Sequence, residues 1–261
     1  MAKIMKYNAK VTEYPGNTEV KYYKKPVRRL TALQKEQRAK EIAETKERQS
    51  MLSPEQLESK RQHSVYVSMA RTKNIIYSIA QANIWNWFVT FTFDPERYPS
   101  DNYDKLVVFL SNWLKNIRKR YAPDLKYILV PELHKDGKKY HFHGLFSDCG
   151  NLEFVEPHFY RGKTNYTLKQ YGFGFSSCSL VEDNARCASY ITKYITKDLC
   201  CLTANKKRYW SSRNLNKPVI TELMVDEMDT LLNSFDNISY STSLDMPFTD
   251  NNMSVFHINR K

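Results

Sequence analysis

Two histidines flank one phenylalanine in the run KYHFHGLF, residues 139–146. In a strand, alternate side chains leave the same face, so His141 and His143 project together while Phe142 points the other way. The chain holds six histidines in 261 residues, so two on one face call for a reason. Two imidazoles and one carboxylate make a three-ligand site with open positions, which suits a catalytic divalent metal better than a closed structural one. A carboxylate is close at hand. LKYILVPEL (125–133) has the composition of a strand, and Asp136-Gly137, between the two runs, is a strong hairpin signal. With those two residues at the turn centre, Glu132 faces His141, and Glu132, His134, His141 and His143 share one face. The expected ligands are His141 and His143 with Glu132, or with His134 in its place. Glu132 is preferred because it lies deeper in its strand. The plain alternative is an exposed histidine pair without a metal.

The second group is ASYITKYITKDL, residues 188–199, in which Tyr-x-x-Lys occurs twice, as Tyr190 with Lys193 and Tyr194 with Lys197. At ~100° per residue, Ile191, Ile195 and Leu199 occupy one side of a helix and the tyrosines and lysines the other. Core tyrosines would share the Ile/Leu side; these do not. An ammonium group beside a phenol stabilises both a phenolate and a bound phosphate. Amphipathic-helix tyrosines with solvated lysines are the competing explanation.

Those residues need elements to hold them. WNWFVTFTF (85–93), rich in aromatic and β-branched residues and stopped by Asp94-Pro95, is expected as a central strand. Leu106, Leu110, Trp113, Leu114, Ile117 and Tyr121 recur at helical spacing over 103–121, with Lys105, Lys115 and Lys119 off the stripe. YGFGFSSCSLV (171–181) is expected as a further strand and 183–199 as one helix. The order strand–helix–strand–strand–strand–helix predicts an α+β domain on a largely antiparallel sheet. Upstream, TALQKEQRAKEIAETKERQ (31–49) is helical in composition but almost wholly charged. A helix from Ser53 starts with a capping-box pattern, Ser53-Pro54-Glu55-Gln56, and has apolar positions at Val65, Met69, Ile76 and Ile79. The expected divisions are a flexible basic arm (1–30), a helical extension (31–84), the catalytic domain (85–217) and an acidic C-terminal segment (218–261).

A net charge of +12 favours a polyanionic partner. Its distribution is sharper. Residues 160–217 carry eleven Lys/Arg against three Asp/Glu, whereas 218–261 carry two against seven. KKRYWSSRNL (206–215) interleaves Lys206, Lys207, Arg208 and Arg213 with Tyr209 and Trp210, a pattern suited to tracking single-stranded DNA; a core strand with a basic edge is the other possibility. The five cysteines lack a CxxC pair, which argues against a zinc ribbon or a disulfide framework. With no apolar run near the length of a span, the expectation is a cytoplasmic protein without a membrane partner.

Together these stretches resemble the HUH endonuclease superfamily, in particular rolling-circle replication initiators of small single-stranded DNA phages and related plasmids. FVTFTF (88–93) is similar to the first motif, HFHG (141–144) to the His-hydrophobic-His metal motif, and YITKYITK (190–197) to the two-tyrosine motif, over roughly residues 85–215. The resemblance implies a ferredoxin-like sheet and Mg²⁺ or Mn²⁺ on Glu132, His141 and His143. It makes Tyr190 and Tyr194 nucleophiles that nick single-stranded origin DNA and rejoin it, with Lys193 and Lys197 steadying phosphate or DNA. It also implies the cytoplasm of a bacterial host. No GxxxxGK[ST] stretch occurs, so a host helicase and DNA polymerase would be partners. The extra His134 leaves the ligand set open, and single-tyrosine members leave the second tyrosine's role open. A transposase or relaxase with the same chemistry, or a non-catalytic single-strand binder, are the rival functions.

Overall fold

The computed structural model describes residues 5–29, 31–47, 53–160, 162–204, 206–246 and 249–259. The chain divides into two compact units: residues 1–62 with 218–261, and residues 63–217. Among the described residues, no helix is long and apolar enough to cross a membrane.

The first unit departs from expectation. Its N-terminal stretch is not an extended arm but a hairpin of β1 (Met5–Glu13) and β2 (Asn17–Arg29); Met1–Ile4 and Leu30 of the expected arm lie outside the described residues. The acidic C-terminal segment supplies β10 (Val219–Leu223), α6 (Met228–Leu232), β11 (Ile238–Asp245) and β12 (Asn252–Asn259). The strands form one antiparallel sheet in the order β10-β1-β2-β12-β11. Ala9, Val11, Val20, Phe256 and Ile258 bury one face against Leu231. Lysines alternate with these apolar positions, so the hairpin can bury a face only when distant β12 lies beside β2, where Phe256 pairs with Val20. Helix α1 (Ala32–Glu47) follows β2; Arg48 and Gln49, the end of the expected helix, lie outside the described residues. In α2 (Pro54–Gln81) the capping box forms: Gln56 N–H donates to Ser53 Oγ and Ser53 N–H to Gln56 Oε1.

The second unit is built on a seven-stranded sheet in the order β6-β7-β8-β3-β5-β4-β9, with antiparallel pairs. Central β3 (Trp87–Phe93) lies between β8 (Gly174–Leu180) and β5 (Tyr140–Ser147), followed by β4 (Lys126–Leu133) and β9 (Trp210–Ser211). The hairpin β6 (Phe154–Tyr160) and β7 (Lys163–Leu168), not anticipated as strands, extends the other side. Helix α3 (Tyr103–Arg120) is capped by Asn102 and covers one face, with Trp113 edge-on to Phe91 at 5.1 Å. Phe91 and Phe142 are fully buried there, so by the period of two their neighbours Thr90, Thr92, His141 and His143 leave the opposite face. The architecture is α+β with helices flanking antiparallel sheets, consistent with a ferredoxin-like arrangement.

The predicted continuous helix over 183–199 is broken. It consists of α4 (Asn184–Ile191), a 3₁₀ turn (Thr192–Tyr194) and α5 (Lys197–Leu202), with Thr196 capping α5 through Leu199 N–H. The reason is local: Thr192 and Thr196 compete for backbone groups. Thr192 Oγ1 donates to Ser189 O, and Thr196 starts a new helix. Ile191, Ile195 and Leu199 are fully buried as expected.

Candidate active site on the open sheet face

The hairpin register is the one that pairs Glu132 with His141 and Val130 with His143. The turn itself differs from the expected form. His134 O accepts from Gly137 N–H, so Lys135 and Asp136 occupy its centre and Gly137 sits beyond them at φ 70°. Asp136 accepts from the N–H groups of Lys138 and Lys139, which closes the loop without shifting the pairing. Gly144 ends the HFHG run because a side chain there would lie 2.6 Å from Ile128 O and closer still to the Leu129 side chain. It lets β4 approach β5 directly beside the histidines.

Three adjacent strands therefore contribute one row of polar side chains. His143 Nε2 and Glu132 Oε2 are 2.6 Å apart. From β3, Thr90 Oγ1 is 3.0 Å from His143 Nδ1 and Thr92 Oγ1 is 2.9 Å from His141 Nδ1. Each imidazole is thus held at Nδ1, fixing the ring and directing Nε2 away from β3. Thr90 and Thr92 were not singled out in the sequence. Their signal was there: two polar residues at period two, in phase with the histidines, inside an otherwise apolar strand.

Burial keeps both imidazoles below their ordinary pKa, most of all the deeply placed His143, where the Glu132 carboxylate works in the opposite direction. The hydrogen bond from His143 holds the Glu132 carboxyl below its usual range. Near neutral pH the set is two neutral imidazoles and a carboxylate, the protonation states that metal ligation requires. The donor types fit a divalent cation, and Glu132 and His143 address the same point. Among the described residues, however, no group of three or more His, Cys, Asp or Glu stands ready to hold a metal ion. His141 instead faces His134, with ring centroids 5.1 Å apart. His134 Nδ1 is 3.3 Å from Asp136 Oδ2, which ties it to the turn. Completing the set would require exchanging the Glu132–His143 hydrogen bond for bonds to the cation.

The tyrosine segment is anchored over this face. Asn184, the first residue of α4, accepts from Trp85 N–H and donates to Asn83 O, tying the helix start to the chain entering β3. Asp183 caps it through Arg186 N–H. The two tyrosines land in different surroundings. Tyr194 is buried, 6% exposed, and its ring stacks on that of His143 at 3.7 Å and 7°. Tyr190 is 46% exposed and stands edge-on to Tyr194 at 5.7 Å. Lys193 Nζ lies 3.4 Å above the Tyr190 ring centroid and 4.9 Å from that of Tyr194. Hydrogen bonds from Lys193, and then from Tyr194, lower the Tyr190 pKa below 10.0. Burial, together with its donation to Tyr190, pushes Tyr194 far upward. The wheel that put both tyrosines on one solvated side does not apply once the helix breaks between them. Lys197 is exposed at the start of α5.

The basic-aromatic run after α5 is largely internal, a correction to the sequence expectation. Trp210 is 3% exposed and pairs with Leu129 in the sheet. Arg208 donates to Thr203 Oγ1, Ser68 Oγ and Cys200 O, bracing α2 against α5. Lys206 is paired with Asp104 at 2.7 Å, and Lys207 O accepts from Tyr103 Oη. Alternation of large aromatics with bases marks a strand with one buried face as well as it marks a stacking platform. Tyr209 is part-buried and Arg213 exposed.

No curated protein and no solved structure matches the chain. Residues 86–199, less than half of the chain but holding β3, the histidine hairpin and both tyrosines, match the family model of Replication-associated protein ORF2, and over that stretch the protein is similar to this family.

Proposed function

We propose that the protein initiates rolling-circle DNA replication by nicking a single-stranded origin and rejoining the strand at termination. The observation that carries the reading is Tyr190: an exposed phenol, activated by Lys193 and Tyr194, next to a tyrosine stacked on His143. The likeness to a replication-associated family over the same residues supports the biological role.

Glu132, His141 and His143 would hold Mg²⁺ or Mn²⁺, which would polarise the scissile phosphodiester. Everything else falls to the chain's own groups. Thr90 and Thr92 fix the two imidazoles. Lys193 stabilises the Tyr190 oxyanion, and its charge also acts on Glu132 and His143. The Tyr190 oxygen attacks phosphorus. As the new P–O bond forms, the bond to O3′ breaks, the phenolic proton is given up, and the departing 3′ oxygen takes a proton. The product is a 5′-phosphotyrosine ester with a free 3′-OH. Because one phosphate ester replaces another, the step reverses without ATP. Tyr194, buried and protonated, serves first as the hydrogen-bond donor to Tyr190. It becomes a nucleophile for termination only when it leaves the His143 stack.

The test is incubation with single-stranded DNA of the protein's own origin and Mn²⁺, followed by a denaturing gel. A covalent adduct lost with EDTA, with H143A and with Y190F supports the reading. DNA binding without adduct, or an adduct that persists in the Tyr190→Phe/Tyr194→Phe double variant, overturns it.

A further inference from the structure

Beside Tyr190, away from the histidines, lies a cavity of about 350 Å³ between β8 and α4. Phe88, Leu180, Cys187 and the Tyr190 ring give it an apolar lining, and Lys163 and Arg186 line it with positive charge. Its walls are apolar but not core. Leu180 is 53% exposed, and Phe88 is only part-buried although it belongs to the central strand. Phe88 stands edge-on to Tyr190 at 5.6 Å and lies 6.1 Å from the His143 ring. The cavity thus begins at the attacking residue. Its polar members are partly engaged already: Glu182 lies 3.8 Å from Lys163, and Asp183 caps α4.

We propose that this cavity takes the unpaired nucleobase flanking the phosphate that Tyr190 attacks, and so sets which sequence is nicked; this rests on the nicking function above. The phosphate must meet the Tyr190 oxygen, so its neighbouring base falls within one nucleotide's length of the Tyr190 ring. The flat apolar surfaces of Phe88 and Leu180 suit a base face, and Lys163 and Arg186 suit the adjoining phosphate or acceptor atoms on a base edge. In a duplex the base would be stacked and paired, so only single-stranded or extruded DNA can fill the site.

The experiment maps the nick, then places an abasic nucleotide at each position around it and measures the rate of adduct formation. For the wild type, one flanking position is expected to slow the reaction about tenfold or more, the scale of losing one stacked base. C187W, which fills the cavity, and L180A, which strips an exposed part of its lining, are compared by the same rates. Both are expected to slow reaction on the intact strand and to react almost equally well with intact and abasic strands. Their thermal melts report whether each is folded, and exposed Leu180 keeps the comparison usable where the larger side chain of C187W does not fit. Wild-type adduct formation that is indifferent to every abasic position, or folded variants that keep the full abasic penalty, overturns the base site. Failure of the wild type to form any adduct overturns the nicking function instead.

Discussion

The histidine hairpin and the tyrosine segment cover the same patch, yet they are held in different ways. In the hairpin, each catalytic candidate has a fixed cross-strand neighbour, and strand pairing sets Glu132, His141, His143, Thr90 and Thr92 in one row. In the tyrosine segment, two identical Tyr-x-x-Lys units fall on either side of a helix break and end up unlike. One phenol is open and lowered in pKa, the other buried and raised. A sheet repeats its environment along a row; a broken helix does not.

The largest effect should therefore separate the tyrosines. Y190F is expected to cut the first nicking step by roughly 10⁴-fold or more, the scale of removing a covalent nucleophile. Y194F should cut it much less, leaving a mapped Tyr190 adduct. Equal losses in single-turnover adduct assays would show that the asymmetry has no chemical consequence. H143A comes next, with adduct formation lost by about 10³-fold and not restored by raising Mn²⁺, since it removes a ligand and the surface on which Tyr194 stacks. K193M should lower the rate about tenfold for each unit that Tyr190 rises. The sign follows from the shift. In the wild type the rate climbs with pH and levels at a value below 10, because the phenolate is the attacking form. In K193M the climb moves to higher pH, so the loss is greatest near neutrality and shrinks in alkali. A pH–rate profile displaced the other way would remove Lys193 from this role. T90V and T92V should each weaken metal dependence by about 10-fold, seen as a higher Mn²⁺ concentration at half-maximal rate with little change at saturation. Away from the site, W210A should lower the melting temperature, at a cost of about 3–5 kcal/mol for a buried aromatic. A folded W210A with normal stability but lost DNA binding would return Trp210 to the DNA surface.

How much of this was legible varies along the chain. The hairpin register was, because an even–odd pairing rule needs only a turn location, and it survived a turn centred one residue earlier than expected. The α3 stripe was legible for a similar reason: Leu106, Leu110, Trp113, Leu114 and Ile117 repeat at a helical period, and all are buried. The fate of KKRYWSSRNL was not, since Trp210 pairs with Leu129, far away in the chain, and nothing near it states which face is covered. The first unit's sheet was missed likewise, because β2 finds β12 only across most of the chain.

Taken alone, the sequence determined which residue types share a strand face, where the strong helices begin and that two Tyr-x-x-Lys units follow the histidine hairpin, since these depend on local periodicity and capping. Only the tertiary structure decided that Tyr190 is open and Tyr194 is stacked on His143, that Thr90 and Thr92 grip the imidazoles, and that Arg208 and Trp210 serve the interior. Those outcomes depend on which distant surface excludes water from each side chain, and burial and pairing between remote segments carry no local signature.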